Sequence, residues 1–313
     1  MLTPARSAQR LRWPFIAAAF ALLALAVMAW RWGGTVADSL AYFNTARYFR
    51  GELPLSALEA PFPYRSLMPG LAALLPGELH NSFAILNWLS VSAAALMASM
   101  TLVRLELPRE RAIAGGLMLI LSVPTFWYAP YLLVDPGSLC ARAAFVLAVV
   151  AGQPWLAAGA GLVGTAVREE NILLLVWLVA ARRIAPLPGL LVLAAGASWI
   201  LTVRWYLIPG LPSYIWTPGL DKVLRTLGDQ RAMLSLAAGA GVVLPLALLG
   251  MRRAAPRLRP LLGLLALMAL PPLYAFLCVR VDGRAIWGLY PFLIPFAAAL
   301  GWPKSGKPAL AVH

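Results

Sequence analysis

Charge is scarce in this chain of 313 residues. Charged side chains make up 12% of it, against 61% hydrophobic. A soluble domain carries about 25% charged residues, so a domain folded in water is excluded. Histidine is nearly absent, with only His80 and His313, which argues against a histidine-rich metal site. The two cysteines, Cys140 and Cys278, belong to no metal-spaced pair. Both fall at the expected outer ends of spans, where a disulfide is conceivable; two inert, buried thiols are the simpler reading. Alternation of apolar and polar residues with period two is missing, which excludes a transmembrane barrel. Acids are few as well: 12 against 26 lysines and arginines, for a net charge of +14. In a soluble protein that imbalance would suggest nucleic acid. Here no nucleic-acid motif accompanies it, and the basic residues lie in short loops between apolar runs, where they set membrane topology.

What the sequence does have is apolar runs. Several are roughly 17 to 22 residues long, enough to cross a ~30 Å hydrocarbon core as helices. The chain therefore reads as an all-α, polytopic helical membrane protein in a lipid bilayer, with one domain over 1–313 and about ten transmembrane helices. The expected spans are 14–30, 82–102, 112–129, 139–151, 154–167, 171–181, 188–207, 231–250, 260–279 and 285–301. The first run follows basic residues as a signal peptide would, but it is long and has no small-residue cleavage site, so it reads as a retained span.

Orientation follows from the basic residues. With the N-terminus and its Arg6, Arg10 and Arg12 in the cytoplasm, the loops carrying Arg104, Arg109, Arg111, Arg182, Arg183, Arg252, Arg253, Arg257 and Arg259 are also cytoplasmic, as are Lys304 and Lys307. The outer loops hold nearly as many basic residues but are almost twice as long, so density favours this orientation. Of the acids, only Glu106 and Glu110 fall inside. Both termini are expected in the cytoplasm, with the protein in a bacterial inner membrane.

The stretch "TAVREENILL" is the exception inside the apolar pattern. One helix over 154–181 would bury Arg168, Glu169 and Glu170 mid-membrane and reverse the side of every later loop. Two short helices meeting at Arg168–Asn171, below the outer surface, keep the orientation. Charge at that depth is tolerated where it lines an aqueous cavity or is buried in protein.

The longest extramembrane segment is 31–81, the first periplasmic loop. Ser39 to Arg50 patterns as an amphipathic helix, with Tyr42, Phe43, Ala46 and Phe49 on one arc, suited to the membrane interface. Asp38 precedes it, either as its N-cap or as a carboxylate held at the surface. Arg65, in "APFPYRSLMP", either anchors at headgroups or pairs with a phosphate. Asp135, in "VDPGSLCAR", is a turn residue or helix start at an outer loop, with Arg142 two turns on inside a span. Arg280, Asp282 and Arg284, in "CVRVDGRAIW", form either a self-paired turn or a clamp for an anionic headgroup.

These residues share one side of the membrane. Arginines there suit the phosphate of a leaving group. A carboxylate suits proton acceptance from an attacking hydroxyl, or a divalent metal ion that does the electrostatic work.

The chain resembles the GT-C superfamily of integral-membrane glycosyltransferases, as a small bacterial member. The resemblance rests on Asp38 after the first span, "SLAYFNTARYFRGELPL", "PFPYRSLMPGLAALLP", "VDPGSLCARA", "GLVGTAVREENILLL" and the run from Arg284 through "YPFLIP". It implies sugar transfer from a polyprenyl-phosphate donor on the periplasmic face, with Asp38 central to catalysis. Where family members often carry a second acid, this chain has Ser39. On that reading Glu169 or Glu170 supplies a second catalytic carboxylate. Arg65, Asp135, Arg168, Arg280, Asp282 and Arg284 hold substrate; the acceptor stays open. A transporter or flippase of a lipid-linked or anionic substrate is the alternative, as is a non-catalytic membrane subunit.

Overall fold

The structure, a computed structural model, describes residues 12–212, 216–252 and 254–300. Arg6, Arg10, Arg253, Lys304 and Lys307 lie outside the described residues, as do the two termini expected in the cytoplasm. Apart from one isolated bridge between Gly34 and Tyr131, the described residues form helices, turns and loops, with no strand among them.

The helices are α1 (Arg12–Met28), α2 (Ala37–Phe49), α3 (Leu67–Leu74), α4 (Leu79–Arg104), α5 (Arg109–Ile120), α6 (Val123–Tyr128), α7 (Asp135–Val150) and α8 (Pro154–Val167). They continue with α9 (Ile172–Ala180), α10 (Pro186–Thr202), α11 (Leu220–Gly228), α12 (Gln230–Ala240), α13 (Val243–Met251), α14 (Arg259–Cys278), α15 (Arg284–Trp287) and α16 (Tyr290–Ala299). Prolines open α8 and α10 and stand second in α7, where the missing N–H has no intrahelical partner to lose.

Five helical segments are long and apolar enough to cross a membrane: Trp13–Arg31, Leu79–Arg104, Arg109–Tyr128, Pro186–Leu207 and Pro256–Cys278. The pair α12 and α13, bent by 57° at its break, makes a sixth when counted as one span. The other expected crossings fall on shorter helices. These are α7, α8, α9 and α16, of 16, 14, 9 and 10 residues. At 1.5 Å per residue they reach about 14 to 24 Å. Helix α16 is buried from Tyr290 through Ala298. It is the centre of the bundle, packed on α13, α5, α7 and α4. Its short length is compatible with depth because protein surrounds it.

Cross-chain contacts sort the helix ends into two groups. At one end Gly34 meets Tyr131 and Leu132, Asp38 meets Arg284, Asp135 meets Arg168, Glu169 meets Arg204, and Arg280 meets Asp229. At the other end Glu106 meets Arg257, Arg111 donates to the carbonyls of Ala298 and Leu300, and Gln153 and Arg183 line a shared hollow.

Helix α2 begins at Ala37, so Asp38 is not its cap. Val36 stands at the N-cap, and Ser39 closes the turn by accepting from the Val36 N–H (2.6 Å) and donating to its carbonyl (2.8 Å). That frees the Asp38 carboxylate to point elsewhere. Tyr42 and Ala46, on the apolar arc, are buried in a cluster with Met68, Ala72, Phe83 and Leu132. The protein itself covers that arc, while Leu40 is left half-exposed. Cys140 and Cys278 are both free thiols.

Candidate functional site

The break in "TAVREENILL" organises the site. Helix α8 ends at Val167 because Arg168 takes an extended conformation (φ −147°, ψ 125°), and Glu169–Asn171 forms a 3₁₀ turn before α9. The open helix end is satisfied by Asn171, whose Nδ2 donates to the Gly164 carbonyl (2.9 Å) and to Ser138 Oγ (2.9 Å). Asn171 is fully buried. A polar backbone break at this depth persists because its orphan groups have partners.

Arg142 of α7 completes the knot. Its Nε donates to Asn171 Oδ1 (2.7 Å), one terminal nitrogen to the Gly288 carbonyl (2.8 Å) and the other to Glu170 Oε1 (2.6 Å). A Cβ at position 288 would stand 2.7 Å from the Arg142 guanidinium, which would have to shift. Glu170 also accepts from Arg168 (3.2 Å), and Arg168 donates to Asp135 (2.5 Å). Two arginines and two carboxylates thus alternate across α7 and the α8–α9 break. Burial by itself would raise the Glu170 carboxyl. The Arg168 and Arg142 guanidinium groups beside it outweigh burial and hold it at about 2. Burial disfavours the Arg168 cation, but Glu170 and Asp135 reverse that and raise its pKa.

A second knot faces the first. Arg284 donates to Asp38 (2.7 Å) and to Asp282 (3.0 Å). Its burial is likewise outweighed by Asp135, Asp282 and Asp38, which raise its pKa. Asp282 also accepts from the Arg284 backbone N–H (2.9 Å), which is the self-paired turn the sequence suggests. Arg280 leaves that turn and pairs with Asp229 (2.9 Å), the N-cap of α12. The loop is fastened to α12 by Ser235, which accepts from the Gly283 N–H (2.8 Å) and shares a 2.6 Å hydrogen bond with Tyr128. Gly239 of α12 approaches so closely that a Cβ there would lie 2.7 Å from Gly283 Cα.

Between the knots lies a cavity of about 420 Å³. Asp38, Arg65, Asp135, Arg168, Glu170, Arg280, Asp282 and Arg284 all line it, drawn from stretches far apart in the chain. Glu169 does not; it turns away to Arg204 (2.8 Å), which lies over the Tyr64 ring. Much of the remaining lining is apolar: Phe62, Trp216, Pro271, Pro272, Tyr274 and Val279. Trp216 stacks on Tyr274 at 6.4 Å, and the Tyr274 hydroxyl donates to the Trp216 carbonyl.

Two cationic features of the lining are unspent. Arg65 donates to Tyr42 (2.5 Å) and makes no salt bridge among the described residues, although its charge helps to hold the Glu170 carboxyl down. Arg168 Nε is buried and unpartnered. The carboxylates are the reverse: each one lining the cavity is bound to a guanidinium. No group of three or more metal-ligating His, Cys, Asp or Glu side chains occurs among the described residues.

Arg142, Asn171 and the Trp216–Tyr274 wall are the parts that sequence reasoning left out of the site. The available signal for Arg142 was a full charge within an apolar span, two turns from Asp135 on the same helix face. Compared with family models, with curated proteins and with solved structures, the chain matches none.

Proposed function

We propose that this is a membrane glycosyltransferase that takes a sugar from a polyprenyl-phosphate donor on the periplasmic face. The observation that carries the reading is the cavity itself. It sets arginines and carboxylates beside an apolar lining, as an amphiphile with an anionic head requires. In this reading all ten passes cross the membrane, with both termini cytoplasmic in a bacterial inner membrane. Helix α2 presents its Leu40 side to the interface.

Arg65 takes the donor phosphate, since among the described residues it forms no salt bridge and its only hydrogen-bond partner is the Tyr42 hydroxyl. Arg280 and Arg284 flank it and stabilise the charge that develops as the bond from anomeric carbon to phosphate oxygen breaks. Asp38 accepts the proton of the attacking acceptor hydroxyl. It is the most exposed of the cavity carboxylates, and Arg284 holds it in place. Glu170 is a poor base, because a carboxyl held at about 2 gives up the driving force for proton transfer at neutral pH. It fixes Arg142 and Arg168 instead. Glu169, off the cavity wall, has no part in the chemistry.

A transporter would carry its site near the midplane. This cavity lies at one end of the bundle. The test is sugar transfer by protein reconstituted with polyprenyl-phosphate-linked sugars. Asp38→Ala is expected to lower transfer by about 10²- to 10⁴-fold, the usual worth of a general base, with insertion unchanged. Full transfer by that variant would remove Asp38 from the mechanism.

A further inference from the structure

Helix α11 (Leu220–Gly228) follows the aromatic end of α10 and precedes Asp229, at the cavity end of the bundle. Its sequence, LDKVLRTLG, places Leu220, Val223, Leu224 and Leu227 at i, i+3, i+4 and i+7. These fall within an arc of about 100° on a helix of 3.6 residues per turn. In a soluble protein such a stripe would be buried. Here Leu220, Leu224 and Leu227 are 72%, 60% and 51% exposed. The residue that touches the protein is Thr226, which is fully buried and lies to the flank of the stripe. The opposite face carries Asp221, Lys222 and Arg225, with Lys222 paired to Asp221 at 3.2 Å. The helix thus has three sides: one on the protein, one polar and one apolar and uncovered.

Its position is fixed against candidate spans. The Gly219 N–H donates to the Leu277 carbonyl (2.8 Å), one residue from the end of α14, and α11 packs along α14. Exposed side chains stand beside it on α14, at Leu273, Tyr274 and Leu277, and others occupy the turn after α10, at Trp205, Tyr206 and Leu207. Aromatic residues at span ends mark the boundary between acyl chains and water.

We infer that α11 lies in the plane of the membrane surface at the cavity end, with Leu220, Leu224 and Leu227 sunk into the acyl boundary of an anionic phospholipid leaflet. Lys222 and Arg225 on the far side reach the headgroup phosphates by extending their side chains. The apolar stripe and the cationic side chains beside it together match that surface, whereas the stripe alone is unfavourable in water. The inference rests on the membrane reading but not on sugar transfer. It also gives the cavity a sill: Trp216, in its lining, lies four residues before the start of α11.

The test is quenching by brominated phospholipid in vesicles containing phosphatidylglycerol. With Cys140 and Cys278 replaced by Ala, single cysteines are placed by Leu224→Cys, Leu227→Cys and Arg225→Cys, and by Leu22→Cys on α1 as a bilayer reference. Each is labelled with an environment-sensitive fluorophore. Positions 224 and 227 are expected to be quenched at least about twofold more than 225, as a helix half-sunk in the interface requires. Quenching at 22 with none at 224 and 227 overturns the inference and leaves the membrane reading standing. Equal quenching at 224 and 225 overturns it too, since the helix then has no lipid face. Protection of 224 from both bromolipid and aqueous iodide points to a second copy on the stripe and also overturns it. Absence of quenching at all four positions removes the membrane reading along with it.

Discussion

The two ends of the bundle use the same residues for different ends. Arg257 and Glu106, at one end, join segments 150 residues apart in sequence, yet their side chains are 56% and 69% exposed. Arg168 and Asp135, at the other, are 21% and 9% exposed, and each is tied into further partners. An exposed pair contributes about 0 to 1 kcal/mol. Removing one partner of a buried pair costs about 3 to 5 kcal/mol, because the other charge is left uncompensated. Arginines of the first kind are free to set orientation in the membrane. Arginines of the second kind hold a cavity open with charged walls. Net charge alone does not distinguish them; partners and burial do.

The strongest way to break this contrast is Arg142→Leu. It leaves Glu170 with Arg168 as its remaining partner and the Asn171 amide oxygen and the Gly288 carbonyl without their donor. The expected loss is about 3 to 5 kcal/mol, read as thermal unfolding in detergent. A change below about 1 kcal/mol would make the buried knot no different from the exposed pair. Next comes Gly239→Ala. Its Cβ meets the Gly283 backbone and must push the Arg280–Arg284 loop off α12. Periplasmic thiol-reagent labelling of a cysteine introduced by Asp282→Cys is expected to rise several-fold on adding Gly239→Ala, as buried backbone contacts yield little; unchanged labelling counts against the clamp.

The pH dependence of Glu170→Gln sharpens the comparison. A carboxyl depressed in the folded state stabilises fully above its unfolded value of about 4.3. It loses that stabilisation as pH falls toward its folded value, held at about 2. The melting difference between native protein and Glu170→Gln should therefore be constant from pH 7 to 5.5 and shrink below about pH 4.5. A difference that vanishes already between pH 7 and 6 contradicts the pairing. The smallest effect belongs to Glu106→Gln, at most about 1 kcal/mol. A larger loss there would place real structural weight on the arginine-rich end.

Much of this was legible in the sequence. The apolar runs predict the long helices α1, α4, α5 with α6, α10 and α14. The three charges at 168–170 predict a break, because a continuous helix would bury them unpaired. The nearest misreading concerned single side chains. Glu169 and Glu170 are adjacent and chemically alike, but a 3₁₀ turn sends one to Arg204 and the other into the knot; no periodicity reveals that. Asp38 has the composition of an N-cap, yet Val36 stands at the cap and Ser39 closes the turn through local hydrogen bonds. Both outcomes hang on a single residue's backbone angles. The amphipathic helix 220–228 was hidden because it is short and lies in a loop otherwise rich in Gly and Pro. Arg142 was visible as a charge in a span, but its partners are 28 to 146 residues away.

The central claim is that the cavity takes the anionic head of a lipid-linked donor. Photolabelling by a radiolabelled polyprenyl phosphate carrying a photoreactive group tests it most directly, on the native protein and on Arg65→Ala and Glu169→Gln side by side. The account predicts labelling of the Phe62, Tyr274 and Val279 wall, most of it lost in Arg65→Ala and kept in Glu169→Gln. Labelling that falls elsewhere, or that Arg65→Ala leaves at its native level, would contradict it.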